Sequence, residues 1–153
     1  MSTNENYKMH LGVYVEHAGL TDQMTFAKEL FDYGKEKKIL KDKSIFYNSA
    51  MHNEVNIKCG MFNSTDIWNF SGTIVTFSLS NCLSVTNIIN NFNVAYIYGL
   101  EEKLNVFNLL KISQEKNVKF MSSSPEKQKE LFRITGVKNS IVNTAEDFFN
   151  EYK

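Results

Sequence analysis

Glu16 and His17 stand together in the stretch Tyr14-Val15-Glu16-His17-Ala18-Gly19-Leu20-Thr21-Asp22-Gln23, where an apolar run gives way to a helical pattern. A carboxylate beside an imidazole is a candidate acid–base pair, because histidine titrates near neutrality. They are the weak catalytic candidates of this chain. No relay partner for His17 can be named from sequence, so a solvent-facing loop histidine is the competing reading. Phosphate cradling is poorly served here. The stretch is neither GxGxxG nor GxxxxGKS, it offers only Gly19 as a loop glycine, and Glu16 would repel a diphosphate.

Metal and nucleophile patterns are equally sparse. His10, His17 and His52 lack ligand spacing, as do Cys59 and Cys82, so no metal and no cofactor is expected. No serine lies in a G-x-S-x-G elbow. The run Ser122-Ser123-Ser124-Pro125-Glu126 reads as a helix start, with Ser124 at N-cap and Pro125 at N1. A helix N-terminus there is the second place an anion could sit.

The elements that must position these residues alternate. Met9–Val15, Ser44–Asn48, Thr73–Leu79, Asn93–Tyr98, Val118–Met121 and Ser140–Val142 read as strands. Helices are expected from about Thr21 to Lys38, from a Ser80 or Asn81 cap through Asn91, over Glu101–Glu115, from Pro125 to Thr135 with a stop at Gly136, and over Ala145–Tyr152 behind Thr144. Residues 49–72 are the least regular, with Val55 and Ile57 in a short strand or extended link and a short helix over Asp66–Phe70. Residues 1–7 are polar and read as a flexible N-terminus, and 8–153 as a single domain. The pattern predicts an α/β fold: an open, mainly parallel sheet of five or six strands, Rossmann-like, with helices on both faces and a five-stranded flavodoxin-like order as the alternative.

In such sheets ligands bind beyond the carboxyl ends of the strands, near the switch point in strand order. That rule selects Glu16 to Gly19 after strand one and Asn48, Ser49 and His52 after strand two. It also selects Ser78, Ser80 and Asn81, then Tyr98 and Gly99, and finally Ser122, Ser123 and Ser124. Gly19, Ser78, Ser80, Asn81 and Ser122 are the candidate ligand-binding residues, suited by size and polarity to a nucleotide or sugar.

Composition bounds the partners. The 153 residues carry 17 basic and 17 acidic side chains, a formal net charge of zero. Backbone-driven nucleic-acid binding needs a positive surface, so no nucleic acid is expected. No apolar run is long enough to cross a bilayer and no signal-peptide pattern is present, so a cytoplasmic protein with no membrane contact is expected. Arg133 is the one arginine and there are eighteen asparagines, a bias suggesting an AT-rich genome such as a phage or a low-GC bacterium. The segment Gly60–Leu79 is unusually apolar for a connection. Phe62, Ile67, Trp68 and Phe70 are the candidate interface of a homodimer or protein partner, against the simpler reading that the domain covers them itself.

Three pieces resemble the N-terminal Rossmann-like half of GT-B type glycosyltransferases: "VYVEHAG" (13–19), "STDIWNFSGTIVTFSLSN" (64–81) and "FMSSSPEKQKELFRITGVKNSIV" (120–142). In that family the nucleotide-sugar donor is held mainly by the C-terminal domain, and chemistry occurs in the cleft between domains. The resemblance therefore implies the fold of one half, and it carries over no residue's role. Two functions follow as expectations. One is a noncatalytic binding or structural protein on a lone Rossmann-like domain. The other is a small glycosyltransferase-like enzyme or nucleotide- or sugar-binding protein using the ends of strands one and three. A receiver-like domain is less well served, since strand one is followed by one acid and not an adjacent pair suited to Mg²⁺.

Overall fold

The computed structural model describes residues 8–50, 57–88, 92–100 and 105–152. Seven parallel strands form one sheet: β1 (Met9–Ala18), β2 (Leu40–Ala50), β3 (Gly60–Asn63), β4 (Gly72–Thr76), β5 (Phe92–Tyr98), β6 (Val118–Ser122) and β7 (Ser140–Ile141), in the order β3-β2-β1-β4-β5-β6-β7. The first six strands thus take the Rossmann order, with the switch between β1 and β4. The expected parallel sheet with helices on both faces is the observed one, with β3 added at one edge. The expectations for residues 1–7, Val55, His52, Asn91 and Glu101 to Leu104 lie outside the described residues.

Alternation along β1 builds two cores. Leu11, Val13 and Val15 face α1 (Asp22–Glu36) and α5 (Ala145–Asn150), packing with Leu30, Phe31, Phe148 and Phe149. Tyr14 faces the other layer, with Ile67 of a 3-10 helix (Ser64–Asn69), Cys82 of α2 (Leu79–Thr86), Leu109 of α3 (Val106–Ile112) and Leu131 of α4 (Pro125–Thr135). Period-two alternation explains why neighbouring residues of one strand serve different layers.

Local chemistry starts and stops the helices. Thr21, Ser78, Ser124 and Thr144 each accept a hydrogen bond from the backbone N–H three residues on. Pro125 occupies the first turn of α4, and Gly136 ends it in the left-handed region at φ 74°.

Several boundaries differ from the sequence expectation. β1 runs three residues past Val15, because its backbone pairs with β2 as far as Ala18↔Ala50. β2 begins at Leu40, not Ser44, for the same reason. β4 stops at Thr76, and Ser78, not Ser80 or Asn81, caps α2, since Asn81 N–H turns back to the Ser78 hydroxyl. The helix expected over Asp66–Phe70 is a 3-10 turn starting at Ser64 behind an Asn63 cap.

Candidate functional site

The β1–α1 connection leads to one face of the sheet and the β4–α2 connection to the other. In sheets of this topology such a divergence forms the ligand crevice, beyond the carboxyl ends of the strands at the switch point, here β1 and β4. Glu16 to Thr21 lie on the β1 side of that position; on the β4 side Phe77, Ser78, Leu79 and Asn81 are buried and Ser80 is exposed.

A chain of polar side chains runs beneath this crevice. The Tyr14 hydroxyl donates to Asn48 Oδ1 at 2.5 Å, and Asn48 Nδ2 donates to Asn81 Oδ1 at 2.8 Å. The chain ends on Asn81 Nδ2, a buried donor with no hydrogen-bond partner among the described residues, on a residue only 1% exposed. An unpaired buried donor costs about 1–3 kcal/mol. Ser78 is fully buried and its hydroxyl is occupied by the Asn81 N–H at 3.2 Å. Gln23 reaches back from α1, and its Oε1 accepts the Glu16 N–H at 3.2 Å.

Glu16 and His17 do not converge. Both lie inside β1, so their side chains leave opposite faces of the sheet. Glu16 projects to the layer of Tyr14 and α2. His17 projects to the layer of α1, where its Nδ1 meets the Ser49 hydroxyl at 2.5 Å on the exposed surface. The strand register His17↔Ser49 makes this contact. His17 is therefore a strand residue with a neighbour, not a residue of a free loop.

The remaining ligand candidates are dispersed. Gly19 sits in the β1–α1 turn, where its carbonyl accepts from Thr21 N–H at 3.0 Å. Ser80 is exposed on α2. Ser122 is fully buried at the end of β6, three strands from β1, and its hydroxyl donates to Asn139 Oδ1 at 2.5 Å. It is thereby separated from Ser78 by β5. At the end of β5, the Tyr98 hydroxyl donates to Glu130 Oε1 at 2.7 Å, which pulls the Glu130 carboxyl below its ordinary range, with Lys127 alongside. Among the four interface candidates, Ile67 is buried in the domain's own core and Phe70 packs edge-on to Phe46, whereas Phe62 and Trp68 are 42% and 59% exposed. Sequence reasoning did not single out Tyr14 or Gln23. A tyrosine hydroxyl within the aliphatic run of strand one was the available signal.

Among the described residues, no group of three or more His, Cys, Asp or Glu is arranged to hold a metal ion. His10 bonds Asp42 at 2.8 Å near the amino end of β1, far from His17 at its other end. No helix among the described residues is long and apolar enough to cross a membrane.

The cysteines belong to opposite layers. Cys82 lies in the α2 layer and Cys59 packs against the α1 layer, so the sheet separates them and both are free. Burial pushes the Cys82 thiol up to about 12 and the Cys59 thiol up to about 11, from an ordinary 9.0. Both therefore stay protonated at neutral pH. Thiol-reactive dyes at pH 8 are expected to label native Cys82 far more slowly than the unfolded chain, with Cys59 intermediate. Because the folded values are raised, this contribution to stability is complete below about 9 and is lost as pH rises toward 11 and 12. Native Cys82 labelling at the unfolded rate would contradict the buried placement.

Comparison of the chain with protein-family models, with curated proteins and with solved structures finds no match in any of the three.

Proposed function

We propose that this chain is a noncatalytic binding domain that holds a small polar molecule in the crevice between the ends of β1 and β4. The observation that carries this reading is the Tyr14–Asn48–Asn81 chain ending in an unpaired buried amide. A ligand oxygen that entered beneath the side chains covering Asn81 Nδ2 would satisfy the donor. Tyr, Asn, Ser and Gln side chains fix and orient such a ligand without exchanging protons near neutrality. The divergence of Glu16 and His17 removes them as a directly bonded acid–base pair, since adjacent strand residues leave opposite faces of the sheet.

Titration with nucleotides, nucleotide sugars and free sugars, followed by backbone amide shifts, tests this. Saturable shifts at Glu16 to Gly19 and Ser78 to Asn81, with the ligand recovered intact, are the expected result. Shifts confined to the amino end of the sheet would reject the placement.

The His17–Ser49 contact favours a second reading, a small enzyme of the glycosyltransferase-like kind suggested by the resemblance to the N-terminal half of GT-B enzymes. There His17 is the base and Ser49 the hydroxyl it polarises. Consumption of a nucleotide sugar that stops on Ser49→Ala would replace the first reading with this one.

A further inference from the structure

A second cleft, of about 440 Å³, opens on the β2–β3 edge of the sheet, away from the crevice. That volume falls within the range of small-molecule sites. Its floor follows from the register of two parallel strands: Phe46 pairs with Phe62 and Ser44 with Gly60, so Ser44, Phe46 and Phe62 share one sheet face. Gly60 decides how Phe62 lies. A Cβ built there would meet the Phe62 ring at 2.6 Å, so the ring folds down over the bare glycine backbone. The Phe46 and Phe62 rings are 5.8 Å apart and tilted by 32°, while Phe70 stands at 77° to Phe46 and forms a corner.

The other wall is the 3-10 helix. Its period of three residues stacks Asp66 and Asn69 on one side, and both line the cleft. Ile67, one residue away, points into the core at 1% exposure. Among the described residues, Asp66 has no ion-pair partner and no Lys or Arg lines the cleft.

We infer that this cleft binds an organic ammonium cation through Phe62, Phe70 and Asp66. The charge balance selects the ligand. A lone carboxylate among aromatic rings repels phosphates and carboxylates. A purely apolar occupant would strip water from Asp66, Asn69 and Ser44 without replacing its hydrogen bonds. A cation with an apolar shell meets both demands, since ring faces attract it and the carboxylate neutralises it. Asn69 and Ser44 can then bond a hydroxyl attached to the same ligand. This inference is independent of the crevice between β1 and β4.

Choline and its neutral isostere, in which a quaternary carbon replaces the nitrogen, separate charge from shape. Amide shifts at Phe62, Asp66 and Asn69 are expected to saturate with choline, and the isostere to bind about tenfold more weakly. Asp66→Asn is expected to lower choline affinity about tenfold and leave the isostere unchanged. Gly60→Ala, which keeps every lining side chain but displaces the Phe62 ring, is expected to weaken both. Equal binding of the two probes by the unaltered protein, shifts that fail to saturate, or a neutral hexose binding in preference to choline would each overturn the inference. The first comparison needs no variant, so it stands even if a substitution unfolds the chain.

Discussion

Replacing Gly72 with alanine is expected to lower stability by about 3 kcal/mol or more. Two costs combine at this residue. Its φ of 132° lies where an L side chain is strained, at about 1–3 kcal/mol. Its added Cβ would also lie 2.7 Å from the His10 Cβ and closer still to the His10 carbonyl oxygen. That oxygen is backbone of β1, and Gly72 begins β4 in the middle of the sheet, paired to β5 through Phe92. The neighbouring strands cannot part without breaking the ladder, so overpacking adds about 1–3 kcal/mol. For a chain of this length, a loss of that size corresponds to roughly 10 °C in Tm. Gly136→Ala isolates the backbone cost. Gly136 also has positive φ, 74°, but nothing lies within 4 Å of a Cβ there, so only about 1 kcal/mol is expected. Urea denaturation of the two variants measures the difference. Equal losses would mean that β1 and β4 are not held as closely as Gly72 requires.

The features legible in the sequence are those set by near neighbours. Thr21, Ser124 with Pro125, Gly136 and Thr144 each act within one helical turn, and the expected boundaries at those residues were correct. The alternation of strands and helices fixed the parallel sheet for a similar reason, because each crossover is a local β-α-β unit. β3 was not legible. It has four residues, three of them exposed, and it exists as a strand through its pairing with β2. The apolar run ends at Val15, so the sequence pattern places Glu16 and His17 in the connection that follows. Backbone pairing to Ser49 and Ala50 extends the strand through them regardless of side-chain polarity. The rule of strand ends selected Asn48, Ser78 and Asn81. It did not reveal the bonds that link Tyr14 to Asn48 and Asn48 to Asn81, because these cross 34 and 33 residues of chain. Side-chain pairs at such separations carry no periodic signal.

Asn81→Asp is expected to cost about 2 kcal/mol at pH 7.5 and markedly less near pH 4. The substitution has an apparent precedent in the same chain. α5 opens with Thr144 at N-cap and Asp147 three residues on, and the Asp147 carboxylate accepts from the backbone N–H groups of Asn143 and Thr144. Asn81 stands at the same position behind Ser78 in α2, where an aspartate would match the sequence of a capping box without a shown bond back to the Ser78 N–H. The helix dipole adds up to about 2 kcal/mol in favour of a negative charge, and the bond from Asn48 becomes charge-assisted. Burial opposes both. Asp147 is only partly buried, whereas Asn81 is 1% exposed beneath Asn48. Removing a carboxylate from water costs several kcal/mol, and the oxygen replacing Nδ2 inherits a position with no partner. Desolvation therefore exceeds the two gains, and the folded protein holds the new carboxyl above its ordinary value. A raised folded value means that stability is complete below the unfolded value, about 4, and is lost as pH rises through the folded one. Denaturation of the variant and the unaltered protein at both pH values gives the difference directly. A variant as stable as the original at pH 7.5, or a loss that does not change with pH, would show that the Asn81 amide lies open to water, and the buried polar chain beneath the crevice would then not exist as described.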